Sequence, residues 1–318
     1  MNNTAASEAL QQWVKRPGID ASQCLKDFDD HLMRVQGLAP RTRQSYSFWV
    51  SRFLAGFCAL DPPDWSSLRA NHLTAFVQQE AARLHRYSRA IPGTAIRAFL
   101  RYLTFLGVIR SGLEAAVPRM PRWKHAELPR YLASADVERV VGGALDGTTR
   151  GLRNHAILLL LARAGLRADE VAKLSLDDID WVAGTICIRS TKSRRERRLP
   201  LAQDVGAALC SYLKNGRPPC RHRTIFLRVR PPFDPFLNSA AVCRISRRAL
   251  TRAGILNTPA AAHLFRHSAA TGMLRGGATF KEIADVLGHA SLKTTGIYAK
   301  LDLPALSRVA LPWPGSAL

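Results

Sequence analysis

The chain has 318 residues, too long for one ordinary core and suited to two domains of roughly 100–200 residues. Its 46 Lys+Arg against 24 Asp+Glu leave +22 and a pI ≈ 10.8, far more cation than solubility requires, so a polyanionic partner is expected. An apolar run of ~18 residues, a signal peptide and a Lys/Arg-faced amphipathic terminus are all missing, which argues against a membrane protein. Six cysteines without a CxxC pair indicate neither a zinc site nor a disulfide framework, and no metal site is expected. These features predict a reduced, cytoplasmic protein.

Residues 1–20 show little periodicity and read as a mobile N-terminus. From Ala21, the residues Cys24, Leu25, Phe28, Leu32 and Val35 recur on one helical face, and Gly37 ends the pattern. Pro40 and Thr42 can start a second helix, striped by Tyr46, Trp49, Val50, Phe53, Leu54 and Phe57. Two more helices are predicted at about 70–85 and 93–109, the second opening after Pro92-Gly93 and carrying Ile96, Phe99, Leu100, Leu103 and Leu106. The sum is a small all-α domain over 21–110. Its Arg41, Arg43 and Arg97 suit either a solvated bundle surface or a clamp on a DNA backbone, and the bundle alone does not separate the two.

Residues 111–130 hold Pro118, Pro121 and Pro129 beside Arg119, Arg122, Lys124 and Arg130, and read as an extended basic linker at the domain boundary. Ser134 looks like a helix cap, with Asp136 and Glu138 in the first turn. A long helix spans roughly Leu152 to Ala164, with an apolar run from Ala156 to Ala162 that marks a core helix, and it ends at Gly165. A new helix starts near Arg167, whose guanidinium would add to unpaired backbone N–H groups as an anion site, or would instead pair with Glu170 at the surface.

Trp181 to Gly184 form a turn, Thr185 to Arg189 a strand and Arg198 to Leu201 a return strand, so this segment is a β-hairpin with Lys192, Arg194 and Arg195 at its tip. Six of the ten residues from 189 to 198 are Lys or Arg, which favours DNA contact over a bare solvated loop. Helices are predicted at about 202–214 and 239–253, either side of a loop rich in Pro and Arg. Arg244, Arg247, Arg248 and Arg252 fall on one ridge of the second helix. Like charges so close repel, so the ridge suits phosphates.

His263, Arg266 and His267 sit at i, i+3 and i+4 on a further helix, and Gly288-His289 and Tyr298 follow. A lone histidine is usually structural, but this constellation sets cationic and phenolic groups where a phosphate could be attacked.

The set Gly-Leu-Arg167-x-x-Glu170, Lys192 in a basic hairpin, His263-x-x-Arg266-His267, Leu287-Gly288-His289 and Thr294-Thr295-x-x-Tyr298 resembles the tyrosine recombinases, also called the phage integrase family. The likeness is close over about 128–300 and looser in the first half, which is similar to the family's core-binding domain. Phe265, Thr191 and Val171 depart from the family's usual leucine, glycine and leucine.

The resemblance implies a mainly α protein of two domains: a SAM-like four-helix core-binding domain and a C-terminal α+β catalytic domain over 131–302 with a small antiparallel sheet. It implies that Arg167, Lys192, His263, Arg266 and His289 surround the nucleophile Tyr298, with Glu170 and His267 in support. Arg167 and Arg266 would grip the non-bridging oxygens, His289 would add a hydrogen bond, His263 would accept the tyrosine proton and Lys192 would donate to the departing 5′ oxygen. DNA would be cut and rejoined through a covalent 3′-phosphotyrosyl intermediate, with neither ATP nor metal, by a tetramer on two double-stranded DNA sites and with possible accessory or sister recombinases. The protein would work in the cytoplasm, associated with the nucleoid. Residues 303–318 read as an apolar tail suited to docking, either on its own chain or, as in the family, on a neighbouring protomer. A DNA-bridging protein without catalysis and a type IB topoisomerase are the competing readings.

Overall fold

The computed structural model describes residues 21–57, 64–121, 129–189, 196–256, 260–289 and 291–301. The chain divides into two compact units, Met1–Glu127 and Leu128–Leu318. The expected N-terminus 1–20, the hairpin tip with Lys192, Arg194 and Arg195, and the tail 303–318 lie outside the described residues.

The described part of the first unit is a bundle of α1 (Ala21–Arg34), α2 (Pro40–Phe57), α3 (Ala70–Arg83) and α4 (Ala90–Phe105). Pro40 opens α2 because first-turn N–H groups have no intrahelical acceptor, so a missing one is no loss. The apolar stripes meet at Phe28, Leu32, Val50, Phe53, Leu73, Val77 and Ile96, with Phe28 edge-on to Phe99 at a ring separation of 5.2 Å. Each such buried aromatic contributes about 1.5–3 kcal/mol.

Two expectations change here. The fourth helix starts at Ala90 and not after Pro92-Gly93, since Pro92 lies within the first turn, where its ring is tolerated. The segment after it is not extended throughout: Leu113–Ala116 form a 3-10 turn and Val117 is buried, because the prolines begin only at Pro118.

The second unit runs α5 (Ser134–Gly142), α6 (Thr149–Arg163), α7 (Ala168–Lys173), β1 (Ile179–Asp180), β2 (Thr185–Ile188), β3 (Arg197–Pro200), α8 (Gln203–Asn215), α9 (Ala240–Arg252), α10 (Ala261–Arg275), α11 (Phe280–Leu287) and α12 (Leu292–Thr295), and then a 3-10 turn, Gly296–Leu301. Every residue from Ala156 to Ala162 is buried, so α6 is the central helix of this core. Ala133, in extended conformation, caps α5 in place of Ser134, and its carbonyl accepts the Val137 N–H.

The strands form one antiparallel sheet in the order β1-β2-β3, with Ile186 opposite both Ile179 and Leu199, and Ile188 opposite Arg197. Ile186, Ile188 and Leu199 turn to the core. The two-residue period of β3 puts Arg197 on the same inward face as Leu199 and leaves Arg198 exposed. On α9 the same logic at helical period buries Val242, Ser246 and Leu250 and exposes Arg244, Arg247, Arg248 and Arg252.

Candidate active site

Gly165 ends the α6 segment at φ +60, and the chain re-enters helix α7 with Arg167 as its extended cap residue. Glu170, three residues on, turns back: its Oε2 accepts the Arg167 backbone N–H at 2.9 Å and its Oε1 accepts the Arg167 guanidinium at 2.8 Å. Both oxygens also accept from Arg197, at 3.1 and 2.7 Å. Burial pushes the Glu170 carboxyl up, but the bonds and charges of Arg197 and then Arg167 outweigh it and hold the group below its ordinary value.

Arg266 projects from α10 into the interior, 4% exposed, and donates to the Gly165 carbonyl at 2.7 Å and the Leu287 carbonyl at 2.6 Å. Arg167 donates to the next carbonyl along the chain, that of Gly288, at 2.9 Å. Burial and then the Arg167 charge push the Arg266 guanidinium down to about 10, which leaves it protonated at neutral pH. Three guanidinium charges (Arg167, Arg197, Arg266) against one carboxylate (Glu170) leave this network two charges in excess, a setting for an anion.

Gly288 adopts φ +64, and a Cβ there would come within 2.6 Å of Arg197 Nη1. Glycine thus lets the turn that precedes His289 lie against the guanidinium. His289 Nδ1 is 2.8 Å from the hydroxyl of Thr295, which is fully buried. Burial, then the charges of Arg266 and Arg167, push His289 down to about 4.

Tyr298 lies in the closing 3-10 turn, 1% exposed, among Ala270, Ile283 and Leu287. Its hydroxyl is 2.8 Å from His267 Nδ1. Burial pushes the phenol up to about 12, against the opposing charge of Arg266. Burial and the charges of His263 and Arg266 push His267 down to about 4. The ring is therefore neutral near pH 7 and the phenol keeps its proton.

In the free chain it is thus His267, and not His263, that meets the Tyr298 hydroxyl. His263 is exposed one helical turn earlier on the same face of α10, its ring 6.5 Å from that of His267, so the rise of one turn along the axis sets His267 beside the tyrosine and half-buries it.

The structure brings Arg167, Glu170, Arg266, His267, His289 and Tyr298 together, and adds Arg197 and Thr295, which sequence reasoning missed. Thr295 carried a signal in its place three residues before Tyr298; Arg197 carried none beyond membership of a basic run. Lys192 cannot be placed, as it lies outside the described residues. Among the DNA-contact candidates of the bundle, Arg41 is exposed, but Arg43 pairs with Asp29 and Arg97 donates to the Pro118 carbonyl at 2.9 Å. In both cases the packing of neighbouring segments supplies an acceptor within the unit. Among the described residues no His, Cys, Asp and Glu side chains gather as a metal site, and no helix is long and apolar enough to cross a membrane.

Residues 130–303 match the sequence profile of the phage integrase family. A Sinorhizobium fredii protein named integrase/recombinase y4rA is 42% identical over 295 residues, covering 93% of this chain and 72% of the relative. Tyrosine recombinase XerD of Mycobacterium tuberculosis is 30% identical over 310 residues, covering 92% and 96%. Among solved structures, a lambda integrase (75–356) dimer bound to a COC' core site superposes with a TM-score of 0.69 at 16% identity, over 94% of this chain and 100% of that one, and so shares the fold.

Proposed function

The chain belongs to the phage integrase family, and from that premise we propose that it is a site-specific tyrosine recombinase that cleaves and rejoins double-stranded DNA through a 3′-phosphotyrosyl intermediate. The observation that carries the reading is the gathering of one phenol, Tyr298, with two neutral imidazoles and an arginine network two charges in excess.

In the cleavage step the Tyr298 oxygen attacks the scissile phosphorus, the new O–P bond forms and the bond to the 5′ oxygen breaks. Arg167 and Arg266 oppose the charge that develops on the non-bridging oxygens, and His289 adds a donor. The departing 5′ oxygen takes a proton, from Lys192 as the family resemblance implies. A 5′ hydroxyl from the partner strand then reverses the step. Bond energy is kept in the phosphotyrosine, so the reaction calls for neither ATP nor metal.

The free chain holds its nucleophile away from solvent, and a tyrosine only 1% exposed cannot meet a phosphate at the surface. The segment that carries Tyr298 therefore moves when DNA binds. His263, exposed on α10, is then the proton acceptor, while His267 is the resting partner of the hydroxyl. The approaching phosphate also favours the charged form of His267 and His289 and so opposes the downward push on those two rings in the free chain.

The exposed Arg244, Arg247 and Arg248 of α9, together with Arg41, Arg194 and Arg195, serve as backbone contacts. Strand exchange takes place in a tetramer on two sites, in the cytoplasm at the nucleoid. Full-length protein is mixed, without divalent cations, with a nicked suicide duplex built on the sequence that it enriches from a random library. A covalent adduct that vanishes in Tyr298→Phe is expected; binding without an adduct would leave a bridging protein, and relaxation of a plasmid without exchange would leave a topoisomerase.

A further inference from the structure

We propose that Arg197 is a positioning residue for strand cleavage, tying the base of the cationic hairpin to the turn that carries Arg167 and to the turn that carries His289. The proposal rests on the recombinase reading above and deepens it.

Three of its donors are engaged: Nε gives to the Val286 carbonyl at 2.9 Å, and Nη1 and Nη2 give to the two Glu170 oxygens at 3.1 and 2.7 Å. Glu170 holds Arg167 by backbone and side chain, and Arg167 holds the Gly288 carbonyl at 2.9 Å. Val286 and Gly288 are two residues apart, so the bonds close into a ring: Arg197, Glu170, Arg167, Gly288, Val286 and back. The ring joins β3 to the Arg167 turn and to the chain just before His289.

Arg197 is poorly placed to meet DNA itself, its side chain being 10% exposed. It acts through the others. A planar fork can satisfy a carboxylate and a carbonyl in three fixed directions, whereas a lysine ammonium is a point charge without that geometry. The glycine at 288 leaves room for the fork, since a Cβ there would stand 2.6 Å from Nη1.

Charged groups facing Glu170 are Arg167 on its own turn, Arg197 from β3 and Arg266 from α10, and His289 lies against the same three guanidiniums. Burial is the largest influence on Glu170 and raises it, and Arg197 is the chief opposing group. Loss of Arg197 moves the carboxyl up, so that on acidification Arg167 loses its anchor at a higher pH than in the wild type.

The test uses the full-length chain and the nicked suicide duplex described above. At saturating DNA, Arg197→Lys is expected to form adduct about 10- to 100-fold more slowly in a single turnover, with half-saturation changed by no more than about threefold. The acid limb of the rate should move to higher pH in Arg197→Met, and that displacement should disappear in Arg197→Met/Glu170→Gln, whose remaining limb belongs to the proton acceptor His263. Arg197→Lys keeps the charge and most of the stem, so it decides the rate test even where the methionine variant fails to fold, and the double variant, with no unpaired carboxylate, then decides the pH test.

An Arg197→Lys protein that cleaves at the wild-type rate, a loss wholly explained by weaker DNA binding, or a displaced acid limb that persists in the double variant would overturn the role. A wild type that binds the duplex and never forms adduct removes the recombinase reading and this role with it. A wild type that cleaves beside an equally active Arg197→Lys removes the role alone.

Discussion

His267 Nδ1 lies 2.8 Å from the Tyr298 hydroxyl, and the hydroxyl belongs to a side chain that is 1% exposed. A buried hydroxyl bound to a neutral imidazole is a stable resting arrangement, and it separates the two histidines of α10 by task. His263→Ala should lower single-turnover cleavage by about 10²–10⁴-fold, the usual worth of a positioned proton acceptor. His267→Ala should lower it by less than about tenfold, because its bond belongs to the free chain. The reverse order in measured rates would reassign the acceptor.

The same burial predicts a chemical signature. Nitration of the free protein by a tyrosine-specific reagent should spare Tyr298 while exposed Tyr87 reacts, and His267→Ala should make Tyr298 reactive. Peptide mapping after a short exposure gives the answer directly.

Acid should weaken the fold through His267 and His289. Both rings sit at about 4, pushed down from 6.5 first by burial and then by neighbouring cationic groups. The folded state thus has depressed values: the unfolded chain takes up protons on these rings that the folded chain does not. Their contribution is fully present above about pH 6.5 and is lost as pH falls through about 4, on the order of a few kcal/mol for the pair. Urea midpoints at pH 7 and pH 4.5 measure it, and the gap should narrow in His267→Gln and His289→Gln.

Thr295→Val keeps the shape of a fully buried side chain and removes the partner of His289. The unpaired ring nitrogen should cost about 1–3 kcal/mol of stability, and cleavage at saturating DNA should fall about tenfold or more as the ring loses its aim. Unchanged cleavage would place the hydroxyl outside the reaction.

Gly288→Ala tests the close approach of the two turns. A left-handed φ of +64 costs an L-residue roughly 1–2 kcal/mol, and the new methyl would meet Arg197 besides. A thermal melt should show a destabilisation larger than that of Gly56→Ala, where a Cβ meets nothing within 4 Å and φ is ordinary.

Much of the fold is legible because apolar spacing is local. The run from Ala156 to Ala162, the strands at Thr185 and Arg198, and the Arg ridge of α9 follow from periods of 3.6 and 2. β1 was not legible because two residues carry no period. Arg43 and Arg97 look identical in sequence to free surface arginines, and their acceptors, Asp29 and the Pro118 carbonyl, come from other segments. Arg197 was hidden in the same way: Glu170 and Val286 are 27 and 89 residues distant along the chain, and nothing in a basic run tells which cation faces inward until the register with Ile188 is known. The His, Arg and Tyr of the site were legible by residue type, but which histidine meets the tyrosine depends on the burial of one side of α10.

Arg266 serves the fold as well as the site, since its guanidinium fastens the carbonyls of Gly165 and Leu287 from two separate turns. The Tyr298 hydroxyl makes one bond, and Phe can keep the ring's packing without it. Mutational drift in a lineage released from selection for cutting would therefore be uneven: loss of the phenolic oxygen unpairs one ring nitrogen of His267, while loss of the arginine unpairs two carbonyls from separate turns and empties the space its buried side chain fills. Decayed copies that still bind DNA should retain Arg266 after Tyr298 has gone.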